Sequence, residues 1–133
     1  MHNIRLSKAI DGAIAAHAEW KRRLHRAIET GTAQITSATA ACDDKCELGQ
    51  WLYNIDVAEA CHDDPRYTRV VEVHARFHRT AGSVLSYVER GNCSAALFIM
   101  EGEYAFESGE LVEALTDWKA AVMAKSAERS ALD

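Results

Sequence analysis

A chain of 133 residues, 48% of them hydrophobic, is large enough for one apolar core and too short for two comfortable ones. With 15 Lys+Arg against 20 Asp+Glu the net charge is −5, which argues against a dedicated nucleic-acid binder. One proline and abundant alanine favour helices over sheet, and no apolar run approaches the roughly 18 residues needed to cross a bilayer.

The start, MHNIRLSKAIDGAIAAH, lacks the unbroken apolar stretch of a signal peptide, so a cytoplasmic protein without a membrane partner is expected. In that compartment Cys42, Cys46, Cys61 and Cys93 are expected as thiols rather than disulfides.

A first helix is predicted from about Leu6 to Glu29. Leu6, Ile10, Ile14, His17, Leu24 and Ile28 recur at steps of three and four, with one gap that Trp20 and Lys21 bridge. Taken alone, His17 reads as a hydrogen-bonded core histidine, with Trp20 walling one side of whatever it touches. The KRRLHR run at 21–26 reads as a solvated helix face. Thr30-Gly31 ends the helix, because glycine adopts the left-handed conformation that closes many helices.

Residues 32–45 are weakly patterned and read as a connection with at most a helical turn. Asp43 and Asp44 are candidate caps for a second helix holding CELGQWLYNI. Cys46 falls in or near its first turn, where the helix dipole favours a thiolate. Gly49 weakens this helix but lets another part of the chain come close. The segment IDVAEACHDDPRY reads as a polar connection ending in Asp63-Asp64-Pro65, a capping carboxylate followed by proline at the first helical position.

A third helix is therefore predicted from Pro65 to about Arg90, stopped by Gly91-Asn92. It carries His74 and His78, one turn apart on a face shared or bordered by Val70, Val71, Phe77, Ala81 and Val84. Two inward-facing imidazoles need partners for their polar atoms, and a metal would satisfy both. A fourth helix, from about Ser94 to Lys125, has Leu97, Met100, Tyr104, Leu111, Leu115, Trp118 and Val122 as its core stripe, with Gly102 and Gly109 as points of bending or breakage. The fold class is all-α, an antiparallel four-helix bundle with short extra helical segments, and residues 1–133 form a single domain.

His17, Cys46, His74 and His78 together offer three imidazoles and one thiolate, a tetrahedral donor set suited to Zn²⁺ and unsuited to hard cations. Four protein ligands leave no open position for a substrate water. The pair is His-Ala-Arg-Phe-His rather than HExxH, so an enzyme is not expected. Asp11, Glu19, Glu47 and Glu72 are candidate supports for a ligand imidazole. Cys42 competes with Cys46 as the thiolate, while His62 or Cys61 could take adventitious metal.

HAEW at 17–20, CELGQW at 46–51 and HARFH at 74–78, in that order, resemble the chemoreceptor zinc-binding (CZB) domain family. The resemblance makes His17, Cys46, His74 and His78 the zinc ligands. It implies a helical, homodimeric, cytoplasmic sensor whose zinc occupancy, or oxidation of whose zinc-bound cysteine, controls a chemoreceptor or diguanylate cyclase, fused or in trans. No such output domain is recognised in these residues. The first and fourth helices are expected to supply the dimer interface, with Trp118 or Tyr104 exposed on it. Two rival readings are a purely structural zinc staple and a hemerythrin-like non-haem iron protein. The second is short of histidines, since only His2, His25 and His62 remain.

Overall fold

The structure, a computed structural model, describes the backbone of residues 2–132 and the side chains of residues 5–125. The regular elements among the described residues are all helices: α1 (His2–Thr30), α2 (Ser37–Ala40), α3 (Glu47–Leu52), α4 (Ile55–Cys61), α5 (Pro65–Glu89), α6 (Cys93–Ile99) and α7 (Ala105–Leu132). A π-helical turn, Met100–Tyr104, joins α6 to α7, so the fourth expected helix is continuous across both Gly102 and Gly109. Its local widening falls at Gly102.

Local chemistry sets the boundaries. Gly31 and Gly91 both take φ +74° and close α1 and α5. Asp64 caps α5, its carboxylate accepting the Arg66 N–H at 2.9 Å, with Pro65 next in line. Asn92 caps α6 through the N–H of Ala95. The second expected helix begins differently from its prediction: the cap of α3 is Cys46 itself, whose sulfur accepts the Gly49 N–H at 3.3 Å, and not Asp43 or Asp44. Residues 55–61, read as a connection, form α4, because Asn54 caps that segment by accepting the Asp56 N–H.

Three long helices carry the core. Ile10, Ala13, His17, Trp20, Leu24 and Ala27 line the buried stripe of α1, while Val70, Phe77, Ala81 and Val84 of α5 are fully buried. Ion pairs from Arg69 to Asp117 and from Arg76 to Glu110 show that α5 and α7 run antiparallel. On the other flank of α5, residues 37–52 descend against it: Ser37 meets Glu89, Ala40 meets His78, Cys46 meets His74 and Leu52 meets Tyr67. The second expected helix is thus reduced to the short α3, with α2 before it and α4 after it in segments expected as connections.

That descending segment is held tightly. A Cβ on Gly82 would come within 2.7 Å of the Ala41 Cβ, so α2 lies directly on α5. At the other end, the buried Tyr67 hydroxyl donates to the Leu52 carbonyl at 2.6 Å. Trp118 and Tyr104, expected on an exposed interface, are each only 1% exposed and belong to the core. Their rings pack on Tyr67 and Phe77, so the apolar stripe that suggested an interface is used within the chain.

Candidate metal centre

Each of the four expected ligands is placed by a different local device. His17 lies on the buried stripe of α1 and its Nδ1 sits 2.8 Å from the Ala13 carbonyl one turn back. A carbonyl can only accept, so Nδ1 carries the proton and Nε2 is left with a bare lone pair. His78 repeats the arrangement with a non-local partner: its Nδ1 donates to the Ala40 carbonyl at 2.9 Å, again freeing Nε2. The close seating of α2 on Gly82 is what brings that carbonyl within reach.

Cys46 arrives from the opposite side. As cap of α3, its sulfur is turned toward α5 and stands 3.2 Å from His74 Nε2. Gly49 permits this turn, because its missing side chain is replaced by the Asp43 carbonyl; a Cβ there would lie 1.6 Å from that oxygen. The sequence expectation of a close approach at Gly49 holds, with the backbone of residue 43 as the visitor.

One donor atom from each of His17, Cys46, His74 and His78 lies within 4.8 Å of the others, and the three histidines are buried. The edges of a zinc tetrahedron with these donors span roughly 3.4–3.6 Å. The site test is chemical as well as geometric. His17 Nε2, His78 Nε2 and His74 Nδ1 are buried without a hydrogen-bond partner among the described residues. Orphaned polar atoms of this kind cost about 1–3 kcal/mol each unless something engages them. Two of the three point from anchored rings with free lone pairs, which is what a cation requires.

Electrostatics keep the histidines in the ligating form. Burial, with the neighbouring imidazoles next, pushes His74 down to about 2. Burial takes His17 down to about 4, against the opposing hydrogen bond from Ala13, and lowers His78 for the same principal reason. All three are therefore neutral at physiological pH. Cys46 departs from the sequence expectation, since burial pushes its thiol up and outweighs the Gly49 and Leu48 N–H groups that favour the thiolate. A zinc ion held by this group would supply the missing driving force for deprotonation.

The walls are aromatic. Trp20 meets the His78 ring edge-on at 5.4 Å, as its place one turn beyond His17 suggested, and Phe77 packs at 5.1 Å from His17. None of Asp11, Glu19, Glu47 or Glu72 is a hydrogen-bond partner of His17, His74 or His78. Asp11 pairs with Lys119 and Glu19 with Arg22, while main-chain carbonyls take the supporting role. Neither Cys42 nor any carboxylate joins the group among the described residues, and the side chain of His2 lies outside them. Cys42 donates to the Ala38 carbonyl, and His62 is exposed beside Asp63.

The family model described as the chemoreceptor zinc-binding domain matches residues 17–85, just over half of the chain and all four of these side chains. The chain belongs to that family. No curated protein and no solved structure matches it. As a CZB domain it binds zinc, and three imidazoles with one thiol are a donor set that zinc accepts. Among the described residues the group holds no carboxylate, whereas bridged di-iron sites are built with them. No helix among the described residues is long and apolar enough to cross a membrane.

Proposed function

We propose that His17, Cys46, His74 and His78 are the zinc ligands of a non-catalytic regulatory domain spanning residues 1–133, acting in the cytoplasm on a diguanylate cyclase or chemoreceptor output. The observation that carries this reading is the convergence of α1, the start of α3 and α5 on one set of donors. Zinc supplies folding free energy to whatever holds it, so occupancy alters how these elements pack. With four protein ligands the coordination shell is closed, which suits control rather than hydrolysis. The architecture is an antiparallel four-helix bundle whose second member is broken into α2, α3 and α4, and its working form is a homodimer.

Cys46 is the switch residue in this reading and the three histidines are the anchor. Its sulfur is part-buried and sits on a six-residue helix, whereas the histidines belong to helices of 29 and 25 residues. Hypochlorous acid oxidises the thiolate by two electrons: oxygen is delivered to Sγ, chloride leaves, and a sulfenic acid replaces the thiolate. That change removes the sulfur's negative charge and frees α3.

The test is a paired titration of wild type and Cys46→Ala with zinc and with hypochlorite, followed by circular dichroism and by the activity of the attached or added output protein. A reversible shift between two folded states that Cys46→Ala abolishes supports the switch. A wild-type response in the variant refutes it. Complete unfolding on chelation identifies a staple instead. Metal analysis giving one zinc per chain with no visible chromophore excludes di-iron.

A further inference from the structure

A cleft outside the metal centre lies where the end of α1 meets the connection to α2. Trp20, Leu24, Ile35 and Leu85 form its apolar floor, and Arg23 and Arg26 stand at its rim. Its volume is about 170 Å³ and it opens to solvent. Small-molecule sites usually occupy ~300–1,000 Å³, whereas ~150 Å³ suffices for a single benzene ring. The size fits one aromatic side chain. Among the described residues neither arginine forms an ion pair, although the neighbouring Arg22 does, and the Arg23 guanidinium rests 4.7 Å above the Trp20 ring.

The complement of this cleft is present on the same chain. Phe98 is 79% exposed and Phe106 66% exposed. The residues of the π turn between them advance by roughly 80–85° each instead of the α-helical 100°. The eight steps from Phe98 to Phe106 therefore sum to nearly two full turns, and both rings share one face. Gly102 lies midway with open space at its Cβ position. Glu101 and Glu103 flank the face, exposed and without a cationic partner among the described residues.

We propose that the acidic, phenylalanine-bearing face of α6 and the π turn docks on the basic cleft of α1 in a second copy of this chain, with Phe98 seated in the cleft beneath Arg23 and Arg26. The proposal rests on the homodimer reading above and says which surfaces make it. Both patches lie at the same end of the molecule, since α1 and α5 end there and α6 starts there. One two-fold axis can thus satisfy two reciprocal contacts. Trp20 is wall to both the cleft and the metal centre, so the interface and the zinc site share a side chain.

Sedimentation velocity over a concentration series of the zinc-loaded chain tests this. Phe98→Ser, and separately Arg23→Glu with Arg26→Glu, each weaken the dimer at least tenfold with helicity unchanged. Adding Glu101→Arg and Glu103→Arg to the arginine reversals restores association. A wild-type dimer left unchanged by Phe98→Ser and by the arginine reversals overturns the assigned surfaces and leaves the homodimer reading standing. A wild type that is monomeric throughout overturns both. Weakening without rescue by the charge exchange overturns the pairing of α6 with α1.

Discussion

Replacing Gly49 by alanine sets two effects of opposite sign against each other. A glycine in a helix costs about 1 kcal/mol relative to alanine, so propensity alone expects Gly49→Ala to stabilise. The structure expects the reverse. The new Cβ would meet the Asp43 carbonyl oxygen at 1.6 Å, its carbon at 2.7 Å and the Asp44 Cα at 3.1 Å. Reaching ordinary contact requires that backbone to retreat by roughly 1.8 Å, and the neighbour is main chain, which cannot rotate aside. Overpacking of this kind costs ~1–3 kcal/mol, at the upper end when the backbone must move, leaving a net loss of about 2 kcal/mol.

For a domain of this size that is a fall in Tm of about 6–10 °C. The metal centre suffers separately. Residues 43–46 carry the Cys46 sulfur into place, and the Gly49 N–H holds it at 3.3 Å. Disturbing such support typically costs ~10–100-fold in metal affinity. Gly12→Ala is the control, since its Cβ would meet nothing within 4 Å and the helix gains about 0.5–1 kcal/mol. Thermal melts with and without chelator, with zinc competition against a chromophoric chelator, read both quantities. A Gly49→Ala protein that melts at or above wild type and holds zinc equally well would refute the argument.

Acid should unfold the metal-free protein early. The folded-state values of His17, His74 and His78 lie below the ordinary 6.5, so the unfolded chain takes up protons first. The stability their neutral forms contribute is fully present above pH 6.5 and is lost as pH falls from there through about 4 for His17, which chelator-treated denaturant melts at stepped pH will show. Tyr104→Phe removes a buried hydroxyl that has no partner among the described residues and should change stability by less than about 0.5 kcal/mol, whereas Tyr67→Phe breaks the bond to Leu52 and should cost about 1 kcal/mol in urea unfolding. Asp64→Ala removes the cap of α5 and should cost about 1 kcal/mol by the same measure.

Much of this was legible because the signals are local. The ends of α1 and α5 follow from Gly31, Asp64-Pro65 and Gly91, each acting on its own neighbours. The cluster was legible because His74 and His78 lie one turn apart and the CELGQW and HAEW strings fix the other two donors. What sequence missed depends on distant contacts. The supporting carbonyl of Ala40 reaches His78 only through the packing of α2 on Gly82, and a main-chain atom leaves no residue-type signature. Trp118 and Tyr104 are buried as their place in the core stripe suggested; their alternative use on an interface stayed open because an apolar stripe looks alike whether it faces its own chain or another. The state of the Cys46 thiol was misjudged because position at a helix start is readable and depth is not.

The edge-on contact of Trp20 with His78 gives the molecule a built-in optical gauge. An indole touching an imidazole changes its emission when that ring acquires a proton or a cation, so the site's occupancy can be followed by intrinsic fluorescence without any label. The other two indoles, Trp51 and Trp118, lie against each other at 5.6 Å, and Trp20→Phe therefore separates their emission from that of Trp20.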